Sequence, residues 1–462
     1  MSSKNSIWAA DALLPTGWTK DVSLHWNEHG QLQQVQTGVA PTENQPRAAG
    51  VLLPGIPNLH SHAFQRLFGG LTEYRGQAQD SFWSWRDLMY RIASQLEPDQ
   101  IEKIATWLYV EMLEAGYTSV CEFHYLHHDQ QGRSYDRPEM ALALLRAARR
   151  TGIGLTLLPV LYQTSGFGGT PPSEGQRRFL HDTPAMLKLL DTLSPLCAAQ
   201  GTALGLAPHS LRAVPAPALK EALAGLDAIN PGAPIHIHIA EQIKEVQDCV
   251  AWSGQTPVRW LLSNVDVDAR WCLVHATHMT PDETRDAALS GAVAGLCPTT
   301  EANLGDGLFD MSNWRDAEGR WGIGSDSHVT VNAAEELQLL EYGQRLATHQ
   351  RNVLGDASQP HVATSMTLAA VAGGAQASGR AVAGFAVGQQ ADMVELDPQH
   401  LALAGLAAQD QLSAHVFASH RSSAVHRVWV SGKERVQAGR HAMHDEAAQA
   451  FIAVRKTLLA NS

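Results

Sequence analysis

The chain has 462 residues, 44% of them apolar, which exceeds one ordinary domain and suits a barrel of roughly 250–400 residues with a smaller module attached. Its formal net charge of −12 argues against a nucleic-acid partner, which needs clustered Lys and Arg, although a few arginines in a cleft still suffice for one small anion. No run approaches the roughly 20 apolar residues of a membrane-spanning helix, the start MSSKNSIWAADALLPTGW lacks an apolar segment after a basic cluster, and the scattered Cys121, Cys197, Cys249, Cys272 and Cys297 form no CxxC pair, so a reduced, cytoplasmic protein without membrane partners is expected.

Residues 6–40 carry short β patterns, SIWAADALL, DVSLHW and LQQVQTG, punctuated by Gly, Asn and Pro. Eight apolar runs follow, at 51–59, 117–123, 152–162, 203–210, 234–240, 271–277, 292–298 and 320–326. Amphipathic segments such as Ile101–Ala115, Pro138–Thr151 and Pro215–Leu226 separate most of them. Strand then helix, repeated, implies a parallel sheet, and eight repeats fit a closed barrel better than an open sheet. Residues 388–441 return to short β patterns, and Glu446–Leu459 reads as a terminal helix. The expected fold is α/β: a (β/α)8 TIM-type barrel over 51–384, and one small β-sandwich built from 1–50 and 385–462, the latter also carrying the terminal helix.

His60-Ser61-His62 ends the first run. Residues i and i+2 of a strand point to one face, so both imidazoles reach the same point inside a barrel mouth. Such a pair alone fits core histidines equally well, and position has to decide. The fifth run supplies His236-Ile237-His238 with Glu241 three residues on, the sixth ends near His275, and the eighth ends in Gly324-Ser325-Asp326. Each lies at the C-terminal end of an expected strand, where barrel active sites are built. Two histidines from strand one, one from strand five and Asp326 from strand eight are placed to converge on a single ion. Three His and a carboxylate suit Zn²⁺ with a water completing the shell, though iron and manganese accept the same ligands. His236 shares the inward face with His238 but sits one layer deeper, which suits a core or supporting role.

PGIPNLHSH, HIHIAE, the strand-six histidine and GSDSH together resemble the amidohydrolase superfamily in its mononuclear deaminase branch, and GFAVGQQADMVELD resembles that superfamily's return into its small β domain. The resemblance spans essentially the whole chain. It implies that His60, His62, His238 and Asp326 hold one divalent metal, that Glu241, His275 and Asp326 are catalytic, and that the chain pairs as a homodimer. Binuclear relatives carry a lysine on strand four, and residues 203–210 contain none, so one metal is expected.

A narrower resemblance rests on NLHSHAFQRLFGGLTEY, SFWSWRDLMYR, CEFHYLHH and APHSLRAV. These segments are similar to those of formiminoglutamate-deiminating members of the branch, and imply that Gln65, Arg86, Tyr125, His209 and Arg212 contact the substrate. Two arginines suit a small dicarboxylate, since guanidinium pairs with carboxylate at two points. Deaminases of guanine, cytosine or an adenosine derivative are the alternative within the branch, and a non-catalytic barrel scaffold is the alternative outside it. His124, His127, His128, His278 and His328 receive no role from either resemblance.

Overall fold

The computed structural model describes residues 5–73, 82–419 and 422–460. Four strands come from the N-terminal end: β1 (Ser6–Leu14), β2 (Gly17–Trp26), β3 (Leu32–Gln36) and β4 (Leu52–Pro54). Nine more follow: β5 (Ile56–Ser61), β6 (Tyr117–His124), β7 (Gly154–Leu161), β8 (Ala203–Leu204), β9 (Ala207–Pro208), β10 (Ile235–Ile239), β11 (Trp271–His275), β12 (Val293–Leu296) and β13 (Arg320–Ile323). The last four are β14 (Met393–Leu396), β15 (Val425–Val430), β16 (Lys433–Gln437) and β17 (Arg440–His441).

Strands β5 to β13 form the barrel. β5, β6, β7 and β8 pair in parallel in one arc, with β9 also on β7, and β10 to β13 pair in parallel in a second. Two parallel bridges join the arcs, Ser61 with Asp326 and Leu206 with Ile235. Asp326 N–H donates to His60 O at 3.0 Å, and His236 N–H to Leu206 O at 3.1 Å. These strands are buried on both faces, as the continuous apolar runs require: every residue of β6, β7, β10 and β11 is buried. The intervening helices include Pro98–Glu114, Glu139–Thr151 and Ala216–Ile229, close to the segments expected for them.

The two ends of the chain build one hydrogen-bonded sheet of eight strands, in the order β17-β16-β15-β14-β4-β1-β2-β3. Its apolar core gathers Ile7, Ala9, Val22 and Leu24 from the N-terminal end with Met393 and Trp429 from the C-terminal end. The terminal helix spans His444–Ala460.

One expectation needs correction. The run 51–59 is not one strand. It splits at Gly55, where an added Cβ would fall 2.2 Å from the Thr118 side chain. Before that point β4 belongs to the terminal sheet, pairing with β1 and β14; after it β5 enters the barrel.

Glu395 ties the ends together. It is fully buried on β14, its Oε2 accepts Arg427 Nη2 at 2.6 Å, and its Oε1 accepts the Ala49 and Gly50 N–H groups at 3.0 and 3.3 Å. Glu395→Ala leaves a guanidinium and two amides without their acceptor. Breaking such a buried pair costs about 3–5 kcal/mol, and urea unfolding should show the loss in the transition that reports the terminal sheet. An unchanged midpoint would remove Glu395 from this role.

Candidate active site

Strand period and strand ends bring the chemistry together. His60 and His62 project from β5, His238 from β10, and Asp326 follows β13. Their ligand-type atoms all lie within 4.8 Å of one another, and all four residues are buried. His60 Nε2 is 3.1 Å from His62 Nε2 and 3.0 Å from His238 Nε2. Asp326 Oδ1 is 3.4 Å from His60 Nε2 and 3.3 Å from His62 Nε2. β5 and β13 meet closely here because position 324 is glycine: a Cβ would sit 2.8 Å from the His60 backbone nitrogen.

The hydrogen bonds behind the cluster fix what its atoms offer. His62 Nδ1 is 3.0 Å from Phe123 O, and His238 Nδ1 is 3.1 Å from His209 O. A carbonyl only accepts, so both Nδ1 atoms carry the hydrogen, and the neutral ring then presents a lone pair at Nε2. Two lone pairs and a carboxylate oxygen aimed at one buried point repel each other unless a cation stands between them. Three imidazoles and one carboxylate fit a divalent ion, with ring orientation set by second partners in the usual way. Around this point Ala240, His275, Ala276, Asp326 and His328 have φ of +51°, +66°, +48°, +43° and +59°. Left-handed backbone is uncommon for such residues and gathers at functional sites.

Glu241 and His275 stand beside the cluster. His275 Nε2 is 3.8 Å from Glu241 Oε1 and 3.7 Å from Asp326 Oδ2, while its Nδ1 is 3.2 Å from Glu301 Oε1. Burial opposes a charge on His275, but the Glu241 carboxylate and its two companions outweigh it and push the pKa up to about 10. Burial pushes Glu241 up to about 7, mid-range for proton exchange at neutral pH. The turn that carries Glu241 is held by Glu245, whose two oxygens accept the Ala240 and Glu241 N–H groups at 3.2 and 3.1 Å.

A cavity opens onto these groups. Its lining includes all five residues expected at the substrate: Gln65, Arg86, Tyr125, His209 and Arg212. Gln65 Nε2 donates to Tyr125 OH at 2.9 Å. Arg86 is carried by the helix Phe82–Ala93 and lies over the Tyr90 ring, 5.4 Å from its centroid. Of the SFWSWRDLMYR motif, Ser81 and the side chains of Phe82, Trp83, Ser84, Trp85 and Asp87 lie outside the described residues.

The structure places the remaining histidines elsewhere. His236 is fully buried, with Nε2 2.8 Å from Ala377 O. His328 backs β5, with Nδ1 near Ser325 Oγ and Nε2 near Ser61 Oγ. His124, His127 and His128 pack with His181 on the far side of Phe123 in sequence, the His127–His181 and His128–His181 ring centroids both 4.5 Å apart.

Several residues here carry no sequence signal. Glu122 is buried and accepts from Ser61 Oγ at 2.7 Å and from the Ala63 N–H at 2.6 Å, bracketing the His-x-His pair. Glu301 touches His275, and Tyr90, Tyr162 and Phe179 line the cavity. Glu245 lies four residues after Glu241, a spacing that marks a helical neighbour but not this contact.

A family model described as the amidohydrolase family matches residues 51–435. The chain belongs to the amidohydrolase family. It is 51% identical over 456 residues to a formimidoylglutamate deiminase of Pseudomonas aeruginosa, covering 98% of this chain and 100% of that one. A 5-methylthioadenosine/S-adenosylhomocysteine deaminase of Shouchella clausii is 25% identical over 88% of this chain and 87% of its own length. Among solved structures, an amidohydrolase from Brucella melitensis superposes with a TM-score of 0.93 at 46% identity, over 98% of this chain and 100% of that chain. A zinc-bound adenosine deaminase from Xanthomonas campestris, 22% identical, gives 0.77 over 99% and 98% and shows the shared fold.

Proposed function

We propose that the protein hydrolyses N-formimino-L-glutamate to N-formyl-L-glutamate and ammonia, the deimination step of histidine breakdown, with one zinc ion held by His60, His62, His238 and Asp326. One observation carries the reading: a single cavity joins that donor cluster and Glu241 to two arginines, in a chain 51% identical end to end to a formimidoylglutamate deiminase. Three imidazoles and one carboxylate suit zinc. A cytoplasmic homodimer acting on a small anion, without nucleic-acid or membrane partners, completes the proposal; no helix among the described residues is long and apolar enough to cross a membrane.

A bound divalent ion supplies the Lewis acidity that brings the pKa of water down to about 7. The chain's own groups do the rest. Asp326, which stays ionised, takes the proton of the attacking water, and His275, held as the imidazolium, orients it toward the formimino carbon. Glu241 delivers a proton to the imino nitrogen and then to the departing amine, which is otherwise a poor leaving group. Arg86 and Arg212 hold the substrate's carboxylates, with Gln65, Tyr125 and His209 closing around the chain between.

An ammonia-release assay across formiminoglutamate, guanine, cytosine and adenosine tests the reading. Turnover of formiminoglutamate alone supports it; turnover confined to a ring substrate overturns it. The arginines give a second expected result. A charge-assisted hydrogen bond contributes roughly 1.5–3 kcal/mol, so Arg212→Ala should lower kcat/KM about 10- to 150-fold. Arg212→Lys should recover only part, because an ammonium does not make the planar two-point contact. Unchanged efficiency in both Arg86→Ala and Arg212→Ala would take the dicarboxylate out of the proposal.

A further inference from the structure

Two phenols in the cavity wall, Tyr90 and Tyr162, have no part in the account above. Both face the same donor. Gln176 Nε2 lies 2.7 Å from the Tyr162 hydroxyl and 3.2 Å from that of Tyr90. The orientation of the amide is settled by its other end: Gln176 Oε1 accepts the Ser173 backbone N–H at 2.7 Å, a place where an NH₂ group would set donor against donor. Gln176 is itself buried, and the Ser173 hydroxyl donates to the same Oε1 at 3.2 Å, so that end of the amide is an acceptor.

The hydrogens can then be counted. Gln176 Nε2 has two, and both go to phenol oxygens. The phenols' own hydroxyl hydrogens have no carbonyl or carboxylate acceptor among the described residues. Burial, reinforced by Tyr90, raises the Tyr162 pKa, so that phenol stays a protonated donor at neutral pH. Its charged neighbours are Arg212 and Arg86, which offer no acceptor either. This corner of the cavity is therefore built of donors, and the matching acceptor comes from what binds there.

We propose that Tyr90 and Tyr162 form, with Arg86 and Arg212, a donor-only subsite that selects a carboxylate of the substrate, and that Gln176 is the positioning residue that turns a phenol hydrogen toward it. The inference deepens the reading of the chain as a deiminase of a dicarboxylate and rests on it. A neutral hydroxyl between two guanidiniums adds direction where the charges alone give attraction, and it rejects a ring substrate that brings no anionic oxygen.

The test is the double variant Tyr90→Phe/Tyr162→Phe, which removes both hydroxyls and adds no charge, beside Gln176→Glu, whose carboxylate keeps the Ser173 N–H but accepts the phenol hydrogens and draws them out of the cavity. Each should raise KM for formiminoglutamate about tenfold or more, the range of one hydrogen bond to a charged group, with kcat changed far less. With N-formimino-4-aminobutyrate or N-formimino-2-aminobutyrate, each lacking one carboxylate, the effect should vanish for one of the two. Metal content and melting temperature should match the wild type. Glutarate binding, measured by calorimetry, should weaken by a similar factor and needs no turnover. An unchanged KM and unchanged glutarate affinity, or an equal rise in KM for all three substrates, overturns the subsite. Absence of formiminoglutamate turnover in the wild type overturns the proposed function instead, and glutarate binding still decides the subsite.

Discussion

Asp326→Ala should abolish ammonia release and leave the purified chain with far less than one equivalent of metal. Asp326 is the only carboxylate among the described residues within reach of both β5 imidazoles, at 3.3–3.4 Å from their Nε2 atoms. It also stands 3.7 Å from His275 Nε2, so the substitution strips a ligand, the proposed base and a partner of His275 together. Its own charge is secure: burial opposes it, yet His60 and His62 hold the carboxyl well below the ordinary range. The expected fall exceeds the roughly 10²- to 10⁴-fold that a single acid–base residue commands, because the chemistry and the ion are lost at once. Chelation of the wild type should give the same fall, and zinc should restore the wild type but not the variant. Full turnover by metal-free protein would refute the metal role.

Glu241→Gln should reduce kcat by about 10²- to 10⁴-fold while metal is retained. Glutamine keeps the shape and the contact volume beside His275, so the ligand cluster is undisturbed. It does not cycle a proton, and Glu241 is the group that burial sets near neutrality for that purpose. The N–H bonds to Glu245 act on the backbone of the turn and survive the change. KM should move little, since the proton transfers belong to the chemical step. Wild-type turnover with metal bound would reduce Glu241 to a structural residue.

How much of this was legible in the sequence follows from the range of the interactions involved. The His-x-His pair was readable because a strand has a period of two, and its partners because barrel sites gather at C-terminal strand ends. His60, His62, His238 and Asp326 needed nothing beyond strand order to be brought together. The eight runs marked the barrel for the same reason: each is locally apolar and each is followed by a helical pattern.

The rest depends on contacts between distant segments. Gln176 matters because Tyr90 and Tyr162 lie 86 and 14 residues away from it in sequence, and Glu122 because Ser61 lies 61 residues away. No local periodicity reports such a pair. The split of the first run at Gly55 was hidden in the same way. LLPGIPNL reads as one apolar strand, but the chain passes from the terminal sheet to the barrel at Gly55, where the side chain of Thr118 on a neighbouring strand leaves no room for a Cβ.

The most direct test of the central claim identifies the products by NMR after incubating the zinc-loaded protein with N-formimino-L-glutamate. The formimino group offers two C–N bonds to water. Hydrolysis at the terminal nitrogen, where Glu241 is proposed to deliver its proton, gives N-formyl-L-glutamate and one equivalent of ammonia, and that is the expected result. Formation of glutamate with formamide, or an unconsumed substrate in the presence of bound metal, would contradict it.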